Sequence, residues 1–120
     1  MESSALGKVY GDGEIIVKQG EVGDCMYVIQ EGQVEILVEK EDSKILVKTL
    51  DENDYFGEMA IFDREVRSAT VRALGEVRVL TIDRKNFLRG IHEDPSIAFR
   101  LVQAMSQRIR DLTKRLTEAS

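Results

Sequence analysis

The spacing of apolar residues changes near Asp83, and this change constrains the fold more than any other feature of the chain. Before it, short runs of β-branched residues alternate with glycine and polar turns. Glu14-Ile15-Ile16-Val17-Lys18 reads as a strand stopped by Gln19-Gly20. Met26-Tyr27-Val28-Ile29-Gln30 and Gln33-Val34-Glu35-Ile36-Leu37-Val38 flank Glu31-Gly32, a spacing that predicts a tight hairpin. Ile45 to Leu50 follows a polar turn at Lys40 to Lys44. Thr70 to Ala73 and Val77 to Ile82 form the last two runs, parted by Gly75. Short strands at such close spacing predict a barrel or jelly roll. Leu46, Val47, Val71 and Ala73 are its expected interior.

After Asp83 the period is helical. Asp83 is a candidate N-cap for a short helix over Arg84 to Gly90. Asp94 and Pro95 are the cap and first position of a second helix. Apolar residues then recur at Ala98, Val102, Met105, Ile109, Leu112 and Leu116. Their steps alternate between four and three, which is a heptad seam and predicts pairing with a second helix. The polar side carries Arg100, Arg108, Arg110, Lys114 and Arg115. At 120 residues the whole chain, 1–120, reads as a single domain. Its β part covers about 9–82 and its helical tail about 84–118.

Within the β region lies a run with its own chemistry, from Tyr55 to Ala73. Phe56-Gly57-Glu58-Met59-Ala60 sets a glycine before residues able to form one helical turn. Glycine lets backbone amides approach an anion, and the amides at the start of such a turn are unpaired. Arg67-Ser68-Ala69-Thr70 adds a planar cationic fork suited to a phosphate. Glu58 cannot favour that anion, so a neighbouring sugar hydroxyl is its natural partner.

This run resembles the phosphate-binding cassette of the cyclic nucleotide-binding domain family. The family includes sensor domains of catabolite-activator-like bacterial regulators and regulatory subunits of cyclic-AMP-dependent kinase. The likeness extends from about Gly11 to Leu112. It implies a double-stranded β-helix (jelly-roll) of about eight short antiparallel strands with a short cassette helix and a long C-terminal dimerisation helix. It also implies that Arg67 pairs with the exocyclic phosphate oxygens, that Glu58 accepts a hydrogen bond from the ribose 2′-hydroxyl, and that the Gly57 N–H faces the ligand. Phe56, Met59, Ala60, Ser68 and Ala69 complete the implied binding set. Threonine at the position of Ser68 is associated with guanine preference in the kinase branch, so serine favours adenine. In catabolite-activator-like dimers, polar residues on the long helix reach the base, and Thr113 aligns with one such position. Family domains open with a helical segment, whereas only Met1 to Lys8 precede the β pattern here, which points to a trimmed or divergent member.

Composition narrows the rest. A formal net charge of −5 disfavours direct nucleic-acid binding. One cysteine, Cys25, allows no internal disulfide and fits a reducing cytoplasm. The N-terminus lacks the basic region of a signal peptide, and no apolar run reaches membrane-spanning length. His92 is the sole histidine. That makes a cupin-type metal enzyme remote and leaves no usual catalytic constellation. The expected function is therefore a non-catalytic regulatory sensor without cofactor, whose ligand is cyclic AMP and whose long helix, 98–116, forms a homodimer. The alternatives are a cyclic-GMP-selective sensor and a ligand-independent dimerisation module of the same fold.

Overall fold

The computed structural model describes residues 7–58, 60–61 and 66–119. The chain divides into two bodies after Arg84. The first contains strands β1 (Lys8–Tyr10), β2 (Ile15–Val17), β3 (Cys25–Lys40), β4 (Ser43–Leu50), β5 (Tyr55–Phe56) and β6 (Thr70–Asp83). The second contains helix α2 (Ser96–Ala119) and nearly all of helix α1 (Arg84–Glu93). Among the described residues the strands form one antiparallel sheet in the order β1-β6-β3-β4, with β2 also on β6 and β5 also on β3. The architecture is a mostly antiparallel β-roll followed by helices.

Two long strands, β3 and β6, replace four of the expected short ones. Met26–Gln30 and Gln33–Val38 are not the arms of a hairpin: both belong to β3 and pair with β6. A two-residue reversal of type I′ needs positive φ at both central residues. Gly32 has φ of 93°, but Glu31 is not among the positive-φ residues. Register shifts at Ile29/Glu31 and Glu31/Gln33 mark an irregularity in a strand that continues. A Cβ at Gly32 would lie 2.6 Å from the Glu76 carbonyl oxygen, so the facing backbone approaches too closely for a side chain. Gly75 likewise lies inside β6 and does not separate two strands. The hairpin that does form joins Lys40 and Ser43 through Glu41 and Asp42. Lys8, expected ahead of the β region, is already in β1.

The core is built from Tyr10, Val17, Ile29, Val34, Leu50, Phe56, Val71, Ala73, Val77 and Val79. Val71 and Ala73 are interior, as their alternation predicts. Leu46 and Val47 are not, and each is about half exposed (54% and 49%). Strand β4 ends the sheet, so it has a neighbour on only one side. Val47 is also the extra residue where Ile36 pairs with Lys48 and Leu37 pairs with Leu46. Only Leu50, near the turn into β5, reaches the core from this strand.

In the second body, α1 runs past Gly90 to Glu93. Asp83 is the last residue of β6 and immediately precedes α1. Asp94 caps α2: its carboxylate accepts hydrogen bonds from the Ser96 N–H (3.1 Å) and hydroxyl (2.6 Å). These bonds hold the carboxyl below its ordinary pKa, with a smaller contribution from Arg100. Along α2, Val102, Ile109, Leu112 and Leu116 are exposed, while Ala98, Leu101 and Met105 are half-buried. No helix among the described residues is long and apolar enough to cross a membrane.

Candidate functional site

The site grows from the end of β5. Phe56 is buried in the core and stacks on Tyr27 of β3, with ring centroids 5.0 Å apart and planes 16° from parallel. The register places these two residues opposite each other. Gly57 follows with φ of 78°, a left-handed conformation that suits glycine. The chain then makes one tight turn, with Ala60 N–H bonded to the Gly57 carbonyl (3.2 Å) and Ile61 N–H to that of Glu58 (3.1 Å). Both bonds span three residues, the 3₁₀ spacing. Ala60 and Ile61 are buried and anchor the turn, and Glu58 is 8% exposed.

Arg67 arrives from the other side of the roll. Its N–H bonds to the Glu21 carbonyl (2.7 Å), and its carbonyl accepts from Gly20 N–H (2.9 Å). A bridge between Val22 and Val66 secures the same crossing. The guanidinium reaches back to β3 and β5. Nη2 donates to the Cys25 carbonyl (2.8 Å) and Nη1 to the Gly57 carbonyl (3.2 Å). Three separate segments thus converge on one arginine, and the guanidinium donates to two neutral carbonyl oxygens.

Tyr27 completes the floor. The Arg67 Cζ lies 5.7 Å from its ring centroid. Its hydroxyl accepts a long contact from the Cys25 thiol (3.4 Å). Burial, foremost, and this thiol contact raise the phenol's pKa well above the ordinary tyrosine value, while the Arg67 charge opposes the rise. Below the cassette turn, Arg84 Nε donates to the Ile61 carbonyl at 2.7 Å, joining the turn to the first residue of α1.

The fold therefore brings Gly57 and Arg67 into contact, with Glu58 next along the chain. Ala60 is buried in the same turn, Phe56 supports it from the core, Ala69 is half-buried and Ser68 is exposed. Met59 lies outside the described residues. Thr113 is exposed on α2, in the second body, where its carbonyl accepts the Thr117 hydroxyl (3.0 Å). Sequence reasoning did not assign roles to the Cys25 carbonyl, the Tyr27 face or Arg84. At Gly23 an added Cβ would collide with the Arg67 guanidinium.

The family model described as "Cyclic nucleotide-binding domain" matches residues 8–94, spanning the roll, the cassette and α1. The chain belongs to the cyclic nucleotide-binding domain family. A cAMP-dependent protein kinase regulatory subunit of Schizosaccharomyces pombe is 38% identical over 81 residues, 68% of this chain and 19% of that protein. A cGMP-dependent protein kinase of Caenorhabditis elegans is 41% identical over 81 residues, covering 65% of this chain and 10% of that kinase. The Thermus thermophilus catabolite activator protein superposes with a TM-score of 0.83 at 25% identity, over 94% of this chain and 55% of its own. The chain thus spans a small part of the kinase relatives and about half of the activator. Over the matched residues it is a cyclic nucleotide-binding domain.

Proposed function

We propose that this chain is a cyclic AMP sensor whose cassette relays ligand binding to its C-terminal helices. The carrying observation is Arg67: its guanidinium is held beside the cassette glycine by the neutral carbonyls of Gly57 and Cys25. In this reading a cyclic phosphate takes the charge of Arg67 and the amides at the start of the 57–61 turn. Glu58 accepts the ribose 2′-hydroxyl, which orients the sugar and selects ribose over deoxyribose. Ser68 in place of threonine favours adenine, and a cAMP-dependent kinase subunit is among the relatives. A cGMP-dependent kinase is among them too, so cyclic GMP is the competing ligand to test.

Relay follows from connectivity. An anion on Arg67 competes with the Gly57 carbonyl and moves the turn that begins there. Ile61, at the other end of that turn, is bonded to Arg84, where α1 begins. A shift of the turn therefore biases the position of α1, a population shift in which ligand favours one of two packings. We further assign the seam of α2 to a homodimer, with Thr113 positioned to meet the base. The output acts through whatever the helices adjoin.

The test is displacement of a fluorescent cyclic AMP from the native protein. Cyclic AMP should displace it at lower concentration than cyclic GMP, and 2′-deoxy-cyclic AMP at much higher concentration. In Glu58→Ala the ribose and deoxyribose ligands should become nearly equivalent. Equal displacement by both sugars in the native protein would contradict the role given to Glu58.

A further inference from the structure

We infer that Tyr27 is a positioning residue for the phosphate-binding arginine, its aromatic face holding the Arg67 guanidinium in place before any ligand arrives. This rests on the reading of Arg67 as the anion ligand. Four observations place the ring in that role. The guanidinium carbon lies 5.7 Å from the ring centroid, within the range where a cation is attracted to an aromatic face. The ring itself cannot swing freely, because it stacks on Phe56, a 3% exposed core residue. Gly57 lies against the same ring edge: a Cβ there would sit 3.4 Å from Tyr27 Cδ1 and 2.7 Å from Arg67 Nη1. On another side, Gly23 leaves room that any side chain would take from the guanidinium.

The arrangement leaves the arginine confined by two glycines, two carbonyls and one aromatic ring. Arginine loses considerable rotamer entropy when it is fixed in a complex. A guanidinium already fixed in the free protein loses less on binding, so the platform raises affinity without touching the ligand. The ring face carries this effect. Among the described residues the phenol hydroxyl engages the Cys25 thiol, at 3.4 Å.

The experiment compares the native protein with Tyr27→Phe, Tyr27→Leu and Tyr27→Met. It reads the ¹⁵N order parameter and shift of the Arg67 Nε–H without ligand, and the Kd for cyclic AMP. In the native protein and Tyr27→Phe the Nε–H is expected to be ordered and shifted by the ring, with Kd equal within about twofold. Tyr27→Leu and Tyr27→Met should release the guanidinium and weaken binding roughly five- to thirtyfold. Thermal unfolding of each variant identifies any that fail to fold. A freely averaging Arg67 Nε–H in the native protein overturns the inference even if no variant folds. So does a folded Tyr27→Leu that keeps both the ordered resonance and the native Kd. Absence of cyclic nucleotide binding by the native protein would instead sink the ligand assignment, while the NMR comparison still decides the role of Tyr27.

Discussion

Gly57 and Arg67 restrict each other. Gly57 must stay small because its missing Cβ leaves the space taken by Arg67 Nη1, and its φ of 78° disfavours any side chain. Gly57→Ala should therefore lower stability by about 1–2 kcal/mol from the left-handed backbone alone. It should also weaken cyclic nucleotide binding, because the guanidinium must move aside. Urea denaturation and titration on the same preparation check both outcomes. The chemistry of this pair was legible in the sequence because Gly57, Glu58 and Arg67 lie within one short run. Tyr27, Gly23 and Cys25 were not legible as site residues. They sit far from the run in sequence, and the pairing of β3 with β5 together with the Val22–Val66 bridge brings them beside it. A glycine in a turn and a tyrosine in a strand have ordinary structural reasons to be there, so nothing local distinguished them.

At the scale of elements, the two long strands explain which expectations held. The runs rich in β-branched residues are strands, and the heptad stretch is a helix, because apolar spacing reports the local backbone directly. The connection at Glu31-Gly32 could not be read that way. A glycine after a polar residue serves a hairpin or a bulge equally, and the facing Glu76 backbone decides between them. Gly32→Val should therefore cost about 2–4 kcal/mol, combining positive-φ strain with the clash, as a drop in the urea midpoint at constant slope. Edge position, likewise invisible to alternation, leaves Leu46 and Val47 exposed on β4. In the helical body, Asp94 caps α2 through Ser96, and its folded pKa is lowered from 3.8. A depressed carboxylate stabilises the fold above its unfolded pKa and loses that contribution as pH falls through the folded value. Asp94→Ala should therefore lower the melting temperature at pH 7. The difference from the native protein should shrink as pH falls below about 4.

For the molecule as a whole, the proposed anion site lies in the β body, and the helical body carries an exposed apolar stripe on α2. Val102, Ile109, Leu112 and Leu116 are each more than half exposed. With the heptad spacing, this supports the proposed homodimer. Light scattering at micromolar concentration should give twice the chain mass, and Leu112→Glu should return it to the monomer mass. A native protein that stays monomeric with and without cyclic AMP would remove the dimer from the account and leave the cassette untouched. The cassette itself is tested most directly by calorimetric titration of cyclic AMP into the native protein and Arg67→Ala, each unfolded and refolded beforehand to strip carried-over ligand. Losing one partner of a hydrogen-bonded charge pair costs about 2–5 kcal/mol, so the variant should bind tens to thousands of times more weakly. Saturable native binding that collapses in Arg67→Ala is the predicted result. Equal heats from the two proteins, or none from either with cyclic AMP or cyclic GMP, would contradict it.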